Sequence, residues 1–288
     1  MSWFTEFPFK VNIDVGVIDK FIRNLKNSLS HFFNAIKNGL DTIINSIYVI
    51  LDFIPWWVYL ILVFFIGWKL GKKLSRGFIY TLAMLFIGLF NLWDLMIETL
   101  SIVIAAVIIS LIIGFPIGIL LSKSNRADKI IRPVLDTMQT MPVFIYLIPA
   151  VIFFGLGKAP AVLATTIYAV VPLIRLTNHG IKMVDAEVVE AAKAFGSTSW
   201  QTLIKVQIPQ ALPTIMTGVN QTIMMAMSMV VTTSMIGVNG LGMEVLIGVQ
   251  RMELGRGLIA GIAVVILAII LDRLTQGLVK KEEGVLDE

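Results

Sequence analysis

The 288-residue sequence predicts an all-α integral membrane protein with about seven transmembrane helices and an amino-terminal amphipathic helix. Two observations carry that expectation. Apolar residues make up 57% of the chain and charged residues only 15%, with a mean hydropathy of +0.87. Uncharged stretches run over 53–68, 77–93, 99–121, 137–157, 159–174, 206–243 and 257–271. A helix rises 1.5 Å per residue, so about 20 apolar residues cross a hydrocarbon layer of about 30 Å; several stretches reach that length and the rest fall slightly short. A soluble helical core would need its surface covered by charges that are instead grouped between the apolar blocks.

The opening MSWFTEFPFK has neither a basic leader nor a following apolar run, so no cleavable signal peptide is expected. From Val17 to about Leu51, apolar residues such as Phe21, Leu25, Phe32, Ile36, Leu40 and Ile44 recur at helical spacing, with Lys20, Arg23, Asn27 and Lys37 between them. This pattern predicts one helix, or two with a break near Gly39, lying on the membrane surface or packed along the bundle. Crossings are then expected at about 54–70, 77–93, 99–121, 137–157, 159–177, 209–236 and 257–279. The organisation is an amino-terminal region over 1–53, two scaffold crossings over 54–94, a five-crossing core over 95–279 and a tail over 280–288. Trp56, Trp57 and Trp93 sit near crossing ends, where indole rings anchor in the interface.

Basic residues set the orientation. Placing the tract Lys69, Lys72, Lys73, Arg76 inside brings 15 of the 23 basic residues to the cytoplasmic side, including Lys123, Arg126, Lys182, Lys193 and Arg273. Five of the other eight lie in the long amino-terminal region, which counts least in this rule. The amino end is therefore expected outside and the carboxyl end in the cytoplasm of a cell-membrane protein.

Enzyme classes find no support. Cys is absent, which removes disulfides, thiolate catalysis and Cys-based metal sites. His31 and His179 are far apart, and no carboxylate pair or nucleophile with a base is visible, so no catalytic, cofactor or metal residue is assigned. GLGKAP at 155–160 lacks the glycine and the hydroxyl that a phosphate loop needs, and reads as an external turn. Asp94 and Glu98 are expected to be solvated beside another external turn. The net charge of +4 belongs to the membrane pattern, and no nucleic-acid partner is expected.

Between the fifth and sixth crossings the character changes, in EAAKAFGSTSWQTLIKVQIP at 190–209. Asp185 is placed to cap a helix that carries Glu187 in its first turn. Gly196 supplies the backbone freedom to end it. Thr198 and Gln201 have capping-box spacing for a second short helix, which Pro209 stops, or where Pro209 opens the next crossing. The expected product is two stiff helices at a fixed angle.

This string resembles the cytoplasmic loop signature of binding-protein-dependent ABC importer permeases. Glu190, Ala191, Ala192, Gly196, Val206, Ile208 and Pro209 match it with every spacing kept. The resemblance implies a type I importer permease fold whose loop over 178–208 docks in a cleft of a separate ATPase. Glu190 would face that partner, Ala191 and Ala192 would allow close contact, Gly196 would make the bend, and Ser197, Thr198 and Trp200 would flank the contact ahead of Pro209. It further implies a partner set of a second permease subunit, identical or related, two ATPase subunits that hold ATP and Mg, an extracellular solute-binding protein and the surrounding lipids.

From about Leu95 to Gln276 the chain is similar to permeases of glycine betaine and proline betaine importers, on QTMPVFIYLIP, VVPLIRLTNHGI, IMTGVNQTIMMAMSMVVTTSMIGVNGLG and ILAIILDRLTQ. That likeness implies osmoprotectant uptake of betaine-type zwitterions; relatives that carry choline, carnitine, proline or another amino acid keep the solute open. The sixth block mixes Asn220, Met224, Met227, Ser228, Thr232 and Thr233, read either as lining the translocation path or as contacts between helices. Pro142, Pro149, Pro172, Pro209 and Pro213 are expected to break or kink helices at or near their ends.

Overall fold

The computed structural model describes residues 15–71 and 73–286, with side chains placed from 16 to 69 and from 73 to 277. Residues 1–14, Lys72 and the last two positions of the expected tail lie outside that description, as do the side chains of Lys280 and Lys281.

Among the described residues the regular structure is helical. It begins with the amino-terminal α1 (Val15–Ser28) and α2 (Ser30–Asp52), then the hairpin α3 (Trp56–Gly71) and α4 (Leu74–Leu89). The long α5 (Trp93–Lys123) is followed by α6 (Asn125–Thr140), α7 (Phe144–Phe154) and α8 (Lys158–Lys182). Next come α9 (Ala186–Ala194), α10 (Ser199–Thr202), a π-helical turn (Leu203–Gln207) and α11 (Ile208–Ser228). The chain closes with α12 (Val230–Ser234), α13 (Leu241–Gln250) and α14 (Leu254–Leu286).

Four helical runs are long and apolar enough to cross a membrane: Trp93–Lys123, Lys158–Lys182, Ser199–Ser234 and Leu254–Gly277. Two bent pairs, α2 with α3 at 87° and α6 with α7 at 93°, bring the spans to six if each pair counts as one; α4 and α13 are shorter apolar helices. The protein is thus an all-α, multi-pass membrane protein. The stretch expected as a straight crossing at 137–157 is instead the α6–α7 corner. Met141 there has the extended backbone that a following proline favours (φ −68°, ψ 135°), and Pro142 falls in the gap between the helices.

The other prolines divide. Pro209 opens α11, whereas Pro149, Pro172 and Pro213 sit inside α7, α8 and α11, away from the ends where they were expected. Neighbouring helices and local adjustment re-satisfy the freed backbone in a packed membrane bundle, so an internal proline bends a helix without ending it.

Small residues set the bundle's central contact. Between apolar helices in lipid the attraction is close van der Waals packing, which small side chains permit. On α5, a Cβ added to Gly114 would lie 2.8 Å from Val170, and one on Gly118 would lie 2.6 Å from Thr177, both residues of α8. Gly218 of α11 also lies close to α8, where its Cβ would lie 3.1 Å from Leu176 and 3.2 Å from the Leu173 backbone. In the α3–α4 hairpin, a Cβ on Gly67 would lie 2.6 Å from the Tyr80 ring and one on Gly77 2.8 Å from the Phe64 carbonyl.

The amino-terminal helices divide by burial. On α1, Val17, Ile18, Phe21 and Leu25 are exposed, while Leu40 and Ile44 of α2 are buried against Ile102 and Ala105 of α5 and Val162 of α8. Phe33 stacks on Phe153 of α7 at 4.7 Å. Of the two expected arrangements, α2 therefore packs along the bundle. The interruption falls at Leu29 and not at Gly39, which lies within the continuous α2.

Candidate coupling interface

The unit following α8 is built from local hydrogen bonds. The Asp185 carboxylate accepts from the Glu187 amide at 2.9 Å and starts α9. At the other end Gly196 takes φ +84°; its amide donates to the Lys193 carbonyl (2.9 Å) and the Ser197 amide to the Ala192 carbonyl (3.1 Å). These two bonds satisfy carbonyls that a helix end leaves open, and only the left-handed glycine between them allows both. No atom lies within 4 Å of a Cβ added at Gly196, so backbone conformation alone selects glycine there.

The second half starts at once. Gln201 donates its amide to the Thr198 hydroxyl (3.3 Å) and accepts the Thr198 amide through its side chain (2.8 Å), completing the capping box. Thr202 ties the halves together: it is buried, its hydroxyl accepts from or donates to that of Ser197 at 2.8 Å, and the Thr198 carbonyl is its alternative acceptor. When Thr202 is the donor to Ser197, the Ser197 hydroxyl donates its own proton to the Ala192 carbonyl at 2.6 Å, so the two hydroxyls form one directed chain.

The second helix is not a separate short piece. Ser199–Ser234 is one helical run through the π turn, so the spanning helix itself begins at the bend. Pro209 lacks an amide and crowds the carbonyl four residues back, and the wider π turn that includes that residue takes up the mismatch.

Glu190 and Ala191 are exposed and Ala192 is half-buried. Phe195, at the tip, is 93% exposed. Trp200 keeps 61% of its surface while the Lys123 ammonium, from the end of α5, sits 5.1 Å from its ring centre, pinning the unit to the bundle.

Beside this unit lies a charged cluster that sequence spacing did not reveal. Asp128 of α6 is buried and accepts from Lys182 (2.7 Å) and Asn178 (2.8 Å) of α8 and from Arg132 (3.3 Å). The Lys182 hydrogen bond, together with the nearby charges of Lys182 and Arg132 and the Asn178 amide, outweighs burial and holds the Asp128 carboxyl below its ordinary range. Arg175 reaches Asp136 in the same cleft. The Asp128–Arg132 and Asn178–Lys182 pairs each have the four-residue helical spacing, the one sign of this cluster in the sequence. Glu98, expected to be solvated, is half-buried and pairs with Lys158 at 3.6 Å; Asp94 is exposed.

The residues proposed to line a path separate. Asn220 donates to Asp272 of α14 (2.8 Å) and accepts from Thr275 (2.7 Å), so it joins two helices. Met227 and Thr233 are buried, and Thr232 is half-buried. Met224 and Ser228 alone share an exposed face, with Thr217 and Gln221 at helical spacing.

A family profile described as "Binding-protein-dependent transport system inner membrane component" matches residues 110–283, more than half of the chain and including the whole unit just described. The chain belongs to this family. It is 52% identical over 214 residues to the glycine betaine/carnitine transport permease protein GbuB of Listeria monocytogenes, covering 74% of this chain and 76% of that protein. It is 49% identical over 211 residues to the glycine betaine/proline betaine permease ProW of Escherichia coli, covering 73% of this chain but 59% of ProW. OpuAB of Bacillus subtilis, a glycine betaine permease, is 50% identical over 200 residues, covering 69% of this chain and 71% of its own. Among solved structures, an inward-facing MetNI methionine ABC transporter chain aligns with a TM-score of 0.54 at 22% identity, over 64% of this chain and 90% of that chain, and the likeness is one of fold.

As an inner membrane component of this family, the chain is a permease subunit, and its relatives are likewise named as permease proteins. The profile leaves α1 to α4 and the first half of α5 outside the family core. Within that core, the capped bend between α8 and α11 presents two large exposed apolar side chains, Phe195 and Trp200.

Proposed function

We propose that the chain is the membrane-spanning subunit of an ATP-driven importer for glycine betaine and related compatible solutes. In this reading it pairs with a second copy of itself, two ATPase subunits and an extracellular solute-binding protein. ATP and Mg belong to the ATPase. Seven crossings, counting each bent pair (α2 with α3, α6 with α7) as one and including the shorter α4, would leave the amino end, with the amphipathic α1, outside, and the carboxyl end in the cytoplasm. Residues 54–94 act as a scaffold to the five-crossing core at 95–279.

The observation that carries the coupling role is the doubly capped bend that offers Glu190, Ala191 and Phe195 to a partner while Thr202 and Lys123 hold it to the spanning helices. Because Ser199–Ser234 is one run, displacement of the bend by a closing ATPase would reach the polar face of α11 without an intervening hinge. Met224 and Ser228, on that face, are the stronger candidates to meet solute; Asn220, Met227, Thr232 and Thr233 would act by holding its shape. A neutral zwitterion calls for weak and brief contacts along the path, consistent with a face of methionine and hydroxyl groups.

The coupling test uses vesicles reconstituted with all subunits. Gly196→Val and Glu190→Lys are expected to leave the protein in the membrane but to separate ATP hydrolysis from uptake. Unchanged solute accumulation in both variants would refute the assignment. Carnitine is the second reading for the solute, because GbuB is named for glycine betaine and carnitine together. Uptake of labelled glycine betaine, carnitine, choline and proline decides between them.

A further inference from the structure

The coupling bend reaches α11 along one continuous helical run, but the chain gives it no such route to α6 and α7. Along the backbone the bend is separated from α6 by the whole of α8, the turn at 155–157 and the α7 corner. Motion at the bend therefore has to cross to α6 through space.

Two ion pairs stand at that crossing. Lys182 is the last residue of α8, just ahead of the Asp185 cap that starts α9, and it donates to the Asp128 carboxylate of α6 at 2.7 Å. About two turns further along both helices, Arg175 of α8 pairs with Asp136 of α6. At 1.5 Å per residue the pairs lie about 12 Å apart along α6 and about 10 Å apart along α8, so the antiparallel helices are held at two heights. Leu135 of α6 also shares an apolar cluster with Val171 and Ile174 of α8. Apolar contact is non-directional and lets one helix slide on another, whereas a hydrogen-bonded ion pair fixes position along the axis.

Asp128 has the surroundings of an anchor. It is only 8% exposed and takes donors from both helices, Lys182 and Asn178 of α8 and Arg132 of α6. Asn178 is itself buried, and its side-chain amide donates to Asp128 at 2.8 Å. At the far end of α6, Tyr146 of α7 donates its hydroxyl to the Met138 carbonyl, which fastens the corner at Met141 and Pro142. A shift of α6 is thus delivered to α7.

Resting on the coupling role proposed above for Glu190 and Gly196, we propose that Asp128 and Lys182 are positioning residues of the transport cycle. Their ion pair carries displacement of the coupling unit into the α6–α7 corner and stays closed throughout the cycle. The corner and α11 then move together, although only α11 is continuous with the bend.

The test measures solute taken up per ATP hydrolysed in vesicles reconstituted with all subunits, a ratio that loss of folded protein alone does not move because both rates fall together. Asp128→Asn and Lys182→Gln are each expected to lower it about fivefold or more, the low end of an energetic coupling between sites. Asp128→Glu keeps the carboxylate and should retain most of the ratio, and Lys129→Gln, at an exposed position of α6, should leave it unchanged. The sequence contains no cysteine, so Asp128→Cys combined with Lys182→Cys can be bridged by a short bis-methanethiosulfonate reagent. The unbridged double variant should be uncoupled, bridging should restore the ratio, and a reducing agent should abolish it again. Wild-type ratios in both Asp128→Asn and Lys182→Gln would overturn the proposal. So would a bridged protein that hydrolyses ATP without uptake, since the pair would then have to open during the cycle. Glu190→Lys, measured alongside, tells the two failures apart. If it lowers the ratio while the variants at 128 and 182 do not, the ion-pair link alone is wrong; if it leaves the ratio unchanged, the coupling role falls and the link with it.

Discussion

Thr202 shows how much rests on one hydroxyl at the coupling bend. It is buried between the Ser197 hydroxyl and the Thr198 carbonyl, so Thr202→Val keeps the shape and removes the link. A net cost of about 1 kcal/mol is expected, read as faster amide exchange at Gly196 and Ser197 in a hydrogen-exchange experiment. Asp128 gives a prediction with a pH signature. Its carboxyl is held below the ordinary range chiefly by Lys182, so its contribution to stability is fully present above the unfolded value of about 3.9 and is lost as pH falls through the lower folded value. Because the asparagine keeps an acceptor for Asn178 and loses only the charge that Lys182 pairs with, Asp128→Asn is expected to cost about 1–2 kcal/mol at neutral pH. In thermal melts the difference between wild type and variant should shrink on acidification below about pH 3.9; a constant difference would remove the Lys182 pairing as its cause.

At the scale of elements, glycines act by different means. Gly118 is a contact glycine: a larger side chain would meet Thr177 and push α5 from α8. Gly118→Leu is expected to destabilise by about 1–3 kcal/mol through overpacking, seen as a lower melting temperature in detergent. Gly39 lies within α2, where an added Cβ meets nothing within 4 Å. Gly39→Ala is expected to stabilise by about 0.5–1 kcal/mol, since alanine loses less backbone freedom in a helix. The contrast explains why the sequence reading placed a break at Gly39. Glycine in a helical pattern signals either an end or a close approach, and neither applies there.

For the whole molecule, the basic tracts bear on which segments share a side, and labelling decides which side that is. Arg76 and Arg273 line one cleft, Lys123 sits over Trp200, and Lys182 meets Asp128, so tracts assigned to the same side by charge alone do meet in pairs. The sequence contains no cysteine, which makes single introduced thiols clean reporters. With the amino end outside, Leu156→Cys at an exposed turn should react with a membrane-impermeant maleimide in intact cells. Phe195→Cys, at the exposed tip of the bend, should react only after permeabilisation. Reaction of Phe195→Cys in intact cells would reverse the orientation and remove the coupling assignment with it.

The sequence by itself determined what depends on neighbours along the chain: the apolar blocks, the Asp185 cap, the Thr198–Gln201 box and the left-handed Gly196. Each of these is closed by bonds within a few residues, so spacing contains the information. Only the tertiary structure decided that 137–157 turns a corner, that prolines 149, 172 and 213 stay inside helices, that Asn220 faces Asp272 and that Asp128 meets Lys182. Those outcomes depend on which groups from distant helices are available to fill a groove, take a hydrogen bond or neutralise a charge, and one-dimensional spacing does not specify that.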